Sequence, residues 1–175
     1  MPTETKTYQL ADEYDRLDQR SEELSDEAAR VDEDTDRFET LVQEGIAIDS
    51  QLGGLQWAID EWGEDVEVTI GGLTKGEHAR VGDTSKADAQ RVIGGGDDQP
   101  TDGVESVRKT AMGIRDAPPL PDNADFERRV AFVRDVNTQF AGWAERRVND
   151  LTSYEGNSKS FLERVSEKRA SQSEP

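Results

Sequence analysis

Cysteine is absent and histidine occurs once, as His78. The first absence excludes disulfides, thiol catalysis and thiolate metal sites. The second excludes a multi-histidine metal centre and leaves one lone acid–base group. Apolar residues are scarce, at 33% of 175 residues, and aromatics make up 6%. A core drawn from so few is thin, or is shared with a partner. No run of about 18 apolar residues occurs, so no transmembrane helix is expected. The opening MPTETKTYQL has neither the basic start nor the apolar stretch of a signal peptide. Positive charge is also short: 21 Lys and Arg face 39 Asp and Glu, a formal net charge of −18. That balance argues against a broad basic face for nucleic acid. A soluble, intracellular protein that contacts neither nucleic acid nor membrane is the expectation.

Acid is what the chain has most of, and it runs through every segment rather than one tail. At low ionic strength such charge repels itself. In molar salt the Debye length falls to roughly 3 Å and most of the repulsion is screened. Acid-rich, lysine-poor chains resemble those of halophilic archaea and their viruses, so the cytoplasm of such a host is the expectation; the competing readings are a disordered acidic protein and an acidic interaction protein from an ordinary cell.

The first 64 residues read as a coiled-coil-like helical segment. Leu10, Tyr14, Leu17, Leu24, Ala28, Val31, Phe38 and Val42 fall on a seven-residue repeat, with Ser21 and Thr35 in two of its slots. The remaining faces are acidic, with Asp12, Glu13, Glu22, Glu23, Asp26, Glu27, Asp32, Glu33 and Asp34. So narrow a stripe must pair with another helix of this chain, a second copy or a partner. A second stripe, Ile48, Leu52, Leu55, Ile59 and Trp62, is slightly out of phase. The change falls at residues 43–46, which predicts a kink, a stutter or a turn there. A turn would make the segment a helical hairpin.

Residues 65–93 read as a strand plus short helix. Val66, Val68 and Ile70 alternate with Glu67 and Thr69. Thr74 and Glu77 have capping-box spacing, and Thr84 or Ser85 offers a restart after Gly82-Asp83. The strand finds no convincing partner in the sequence, and one from another protomer is an option. Residues 94–103, GGGDDQPTDG, read as a flexible linker. Residues 104–168 read as a helical segment: a short helix from Val104 ended by Gly113 or Pro118-Pro119, one long helix from Phe126 to about 153, and a last one at Phe161, Leu162 and Val165. Residues 169–175 read as a disordered tail. The fold class expected is mainly α: a long N-terminal coiled-coil-like helix or helical hairpin, one short β-strand or hairpin, and a C-terminal helical bundle.

Catalytic and metal signals are weak. Asp32, Asp34 and Asp36 begin like an EF-hand loop, but Arg37 and Gln43 stand where Gly and Glu are required. The glycine-rich GGLTKGE and GGGDD lack a Gly-Lys-Ser/Thr ending and read as turns. His78 reads as a polar helix residue. Arg128-Arg129 and Arg146-Arg147 read as intramolecular charge balance. No enzyme activity, catalytic residue, cofactor or metal is therefore expected.

From Val66–Ile70 through Leu73-Thr74-Lys75-Gly76-Glu77 and the helices after Val104, the order of elements resembles that of the tail assembly chaperones of long-tailed viruses. The resemblance implies a non-enzymatic protein that binds a long, apolar tape-measure protein during tail assembly of a haloarchaeal virus or provirus. The heptad helix over 10–42 departs from that family and reads as an added dimerisation module. The alternative is a helical structural, scaffolding or adaptor protein acting through its coiled coil, with a homo-oligomer as one outcome. Leu10, Leu17, Leu24, Val31 and Phe38 are the candidate partner-binding or self-association seam. Phe140 and Trp143 are candidates for either a partner-facing or a core face.

Overall fold

A computed structural model describes residues 4–93 and 102–152. Strand β1 (Thr5–Gln9) leads directly into helix α1 (Leu10–Ala28), and α2 (Asp36–Trp62) returns alongside it. Strand β2 (Glu67–Gly71), α3 (Lys75–Ile93), α4 (Asp102–Gly113), β3 (Ile114–Asp116), α5 (Phe126–Asp135) and α6 (Thr138–Thr152) follow. The protein is mainly α with a small antiparallel sheet of order β1-β2-β3. The linker expected over 94–103 lies outside the described residues through 101, and Asp102 and Gly103 already belong to α4. The helix expected at 161–165 and the tail 169–175 also lie outside them.

The strand at 66–70 finds both partners within its own chain. Thr5 pairs with Gly71 and Gln9 with Glu67, while Ile70 pairs with Ile114 across a bulge. The expectation of a strand completed by another protomer is corrected. Strand β1 escapes a pattern search because only Tyr8 of its five residues is buried. Strand β3 is three residues long, too short for a period. Both are strands because β2, with Val68 and Ile70 fully buried, offers them a paired edge over a core.

The first segment is a hairpin, but its turn is at residues 29–35 and not at 43–46. Thr35, which fills a heptad slot in the sequence, is the N-cap of α2. It sits in an extended conformation, its Oγ1 accepts a hydrogen bond from the Phe38 N–H and donates one to the Asp32 carbonyl. Gly45 lies inside an unbroken α2. The phase change reflects two neighbours. Leu41, Ile48 and Leu55 are buried at heptad spacing along α2, which α1 accompanies, while Gln51, Gly54 and Ala58 are buried beside α6. A helix with two neighbours needs two stripes.

The long C-terminal helix is also two. Its apolar stripe could pass through either Val136 or Asn137, but Asn137 is an N-cap: its Oδ1 accepts from the backbone N–H groups of Gln139 and Phe140 and starts α6. Val136 before it is extended. Helix α3 is continuous through Gly82-Asp83. Thr84 and Ser85 do not restart it; their hydroxyls donate back to the Arg80 and Val81 carbonyls. The capping box at its start is present in both halves: the Thr74 N–H donates to Glu77 at 2.8 Å and the Glu77 N–H to Thr74 Oγ1 at 3.1 Å. Thr74→Ala should therefore cost about 1 kcal/mol, seen as a lower melting midpoint and faster amide exchange in the first turn of α3.

Candidate functional site: the open side of the helical hairpin

The expected seam divides in two. Leu10, Leu17 and Leu24 are buried in the core of this chain, where α1 packs on α2. Leu10 and Leu17 present nothing to a second molecule, and Leu24, also buried, reaches only the base of the groove described next. Val31 and Phe38 are half-buried at the far end of the hairpin. There they line a groove of about 420 Å³ together with Leu24, Ala28 and Ala29 from the α1 side and Leu41, Val42, Gly45 and Ile46 from α2. Ile46 is 58% exposed and Val42 36%, the large apolar residues most open to solvent among those described. Neither was picked out from the sequence as a site; Val42 closed the first stripe and Ile46 fell at the phase change. The signal available was their position, four residues apart on one helix face outside the buried Leu41-Ile48-Leu55 line.

Among the described residues, the groove is open because the elements packed on the hairpin cover a different side. Helix α6 meets α2 at Ala47, Gln51, Gly53 and Gly54. At 100° per residue, Val42, Ile46 and Asp49 point about 140° away from the mean direction of Ala47, Gln51 and Gly54, while Gly53 is reached only by the long Gln139 side chain. The groove's walls also carry Ser21, Ser25, Glu33 and Asp49, with the Ser21 hydroxyl donating to Asp49 at 3.3 Å.

Phe140 and Trp143 are core residues, with no exposed surface. The partner-facing option for them is corrected. They form an aromatic stack with Tyr8, Trp57 and Trp62: Tyr8–Trp143 centroids are 5.6 Å apart, Phe140–Trp143 5.3 Å and Trp62–Phe140 5.0 Å. Rings at such separations and tilts join the hairpin, β1 and α6 into one core.

Beside that stack lies a buried charged site. Glu13, read as part of the acidic outer face, is 6% exposed. It follows Leu10 by three positions and precedes Leu17 by four, so it lies on the inner stripe. Its Oε1 accepts from Arg147 Nε at 2.8 Å and from Trp143 Nε1 at 3.4 Å, and both oxygens are held by Arg16. Arg147 also pairs with Asp150 at 2.8 Å, which answers the expectation of intramolecular charge balance for this arginine. Burial alone would push the Glu13 carboxyl up; the hydrogen bonds from Arg16 and the charges of Arg147 and Arg16 outweigh it and hold the carboxyl below its ordinary value. A general acid at neutral pH needs the opposite shift. At neutral pH Glu13 is an anion, and it ties α1 to α6.

A second cluster pairs Glu77 with Arg115 at 3.2 Å, and Arg129 donates to the Ile114 carbonyl at 3.1 Å. Burial, then the neighbouring Arg115, lowers Arg129. His78 is exposed on α3. A second crevice, of about 530 Å³, is lined by Trp57, Trp62, Phe132 and the Pro119-Leu120-Pro121 bend. Among the described residues, no group of three or more acidic or histidine side chains is placed to hold a metal ion, and no helix is long and apolar enough to cross a membrane.

The chain is thus a mainly α protein in which a two-helix hairpin rises from a three-stranded sheet. No family model matches the chain, and neither a curated protein nor a solved structure does.

Proposed function

We propose that this chain is a non-enzymatic binding protein that works through the open side of its α1–α2 hairpin. We further propose that it is an assembly chaperone of a haloarchaeal tailed virus or provirus, holding a long tape-measure-like protein in the host cytoplasm. The observation that carries the first statement is the apolar groove with Ile46 and Val42 exposed on a chain otherwise poor in apolar residues. A chain with so few apolar side chains that leaves two aliphatic ones beside a groove has a contact surface there. The second statement rests on the likeness of the 66–77 strand-and-turn and the helices that follow to tail assembly chaperones.

The test is purification of the tagged protein from a halophilic host in molar salt, with identification of what accompanies it. A very long helical protein should co-purify, and this chain should be absent from finished particles. Recovery of capsid, portal or mature tail subunits instead, with the chain retained in particles, would replace the chaperone reading by that of a structural adaptor.

A further inference from the structure

Resting on the binding role proposed above, we infer that the hairpin groove takes a basic amphipathic helix of a partner protein, about three turns long.

The first argument is charge. Residues 20–49 contain eleven acidic side chains and three basic ones, all arginine, for a net −8. That is close to half of the chain's −18 in about a sixth of its length. The three arginines are already engaged: Arg20 with Glu23 and Glu44, Arg30 with Asp26, and Arg37 with Glu27. Glu22, Asp32, Glu33, Asp34, Asp36, Glu39 and Asp49 have no ion-pair partner among the described residues. Two of them, Glu33 and Asp49, line the groove itself. A general adaptation to salt would spread acid evenly over the surface. Here acid is densest on the part that, among the described residues, also exposes large aliphatic side chains. A second copy of this chain would bring like charge to like charge, which is unfavourable. A partner segment with arginine or lysine beside its apolar stripe is complementary.

The second argument is shape. From Phe38 to Asp49 the α2 wall runs about 16 Å at 1.5 Å per residue, the length of three helical turns. The opposite wall is small: Ser21, Ser25, Ala28 and Ala29. A β-carbon added at Gly45 would meet nothing within 4 Å, so there is free space over the groove floor. A third helix laid between two others fits such a trough, its apolar stripe on Val42 and Ile46 and its basic flanks toward Glu33 in the turn and Asp49 on α2.

The experiment uses the full chain and two synthetic peptides of about fourteen residues. One carries leucines at helical spacing with arginine on the flanks. The other has glutamate in place of every arginine. Binding is followed by fluorescence anisotropy in low and in molar salt. The arginine peptide should bind at least about tenfold more tightly than the glutamate peptide in low salt, and the gap should narrow in molar salt. Ile46→Gln, a change at an exposed position, should weaken the arginine peptide about tenfold at both salt levels. Glu33→Lys should weaken it in low salt only. Equal binding of both peptides, or no loss with Ile46→Gln in a variant that melts like the parent, would overturn the inference. So would a parent dimer that Ile46→Gln converts to monomer, because the groove's occupant would then be a second copy. The outcome is separable from the chaperone claim. A tape-measure-like protein recovered equally with parent and Ile46→Gln keeps that claim and sinks this one. Specific peptide binding with no such protein recovered does the reverse.

Discussion

Glu13→Ala is expected to lower the stability of the protein by about 3–5 kcal/mol, the usual cost of removing one partner from a buried ion pair. The change removes the acceptor of Arg147 Nε and of Trp143 Nε1, and both donors are buried. Arg147 would keep Asp150, whose side chain is 57% exposed, but would lose its deepest contact at 2.7 Å. Arg16 matters less, since its side chain is 57% exposed and water can replace Glu13. Denaturant melts at fixed molar salt measure the effect. Glu13→Met combined with Arg147→Met should recover much of the loss, because a buried pair competes poorly with well-packed apolar groups. A Glu13→Ala protein within about 1 kcal/mol of the parent would show that water reaches Arg147 and that the pair does not anchor α1 to α6.

The same pair sets a direction with pH. Glu13 and Glu77 both lie below the ordinary carboxylate value. For each, burial pushes upward and is outweighed, at Glu13 by Arg16 and Arg147 and at Glu77 by hydrogen bonds from Thr74 and the charge of Arg115. A carboxyl lowered by folding contributes stability in full above its unfolded value. That contribution is lost as pH falls through the folded value. The melting midpoint should therefore fall with acid below the usual carboxylate range, and less steeply in Glu13→Met/Arg147→Met. Tyr8 shifts the other way, raised chiefly by burial and held in part by Arg147. Its contribution is present below the ordinary tyrosine value and is lost on the alkaline side.

Local chemistry was readable in the sequence where one short stretch decides the outcome. The alternation of Val66, Val68 and Ile70 and the Thr74/Glu77 capping box each depend on neighbours within a few residues, while the helix end was narrowed to Gly113 or Pro118-Pro119 and falls at Gly113. Features that depend on distant neighbours were not readable. Strand β1 is defined by pairing with residues more than 55 positions away. The two stripes of α2 resemble a break because the helix serves α1 and α6 at once. Thr35 and Asn137 both fit an apolar repeat by position and act as caps by chemistry. In both cases the side-chain oxygen was the stronger signal, since a polar residue in a stripe at a boundary is more economically a cap than a core member. Of the candidate contact residues, Val31 and Phe38 sit at an open surface. Leu10, Leu17, Leu24, Phe140 and Trp143 are core, a distinction that periodicity cannot make because buried and exposed stripes share one spacing.

The second large effect is expected within α2, where three glycines should respond in different ways to the same substitution. Replacing a helix-interior glycine by alanine gains about 1 kcal/mol of backbone propensity when space allows. At Gly45 a β-carbon meets nothing within 4 Å, so Gly45→Ala should stabilise the protein by up to that amount. At Gly53 it would meet the Gln139 side-chain amide at 2.7 Å. That side chain can turn away, so the change should be close to neutral. At Gly54 it would lie 2.3 Å from the Phe140 nitrogen and 2.4 Å from the Gln139 carbonyl carbon. Both are backbone atoms, and Phe140 N is also fixed by Asn137 Oδ1 at the start of α6. No rotamer relieves that contact, so α2 and α6 must separate and open the Trp57–Trp62–Phe140–Trp143 stack. An overpacked core costs about 1–3 kcal/mol, and the lost aromatic contacts add to it. Gly54→Ala should therefore be net destabilising by about 2 kcal/mol despite its propensity gain. Melting midpoints in one buffer should rank Gly45→Ala above the parent, Gly53→Ala beside it and Gly54→Ala well below. If Gly54→Ala melted with Gly45→Ala, α6 would not approach α2 as closely as described, and the aromatic core built on that approach would be wrong. The same series bears on the groove. Gly45→Ala places a methyl group on its wall, so a variant more stable than the parent yet weaker for the arginine peptide would separate the stability of α2 from the binding face it carries.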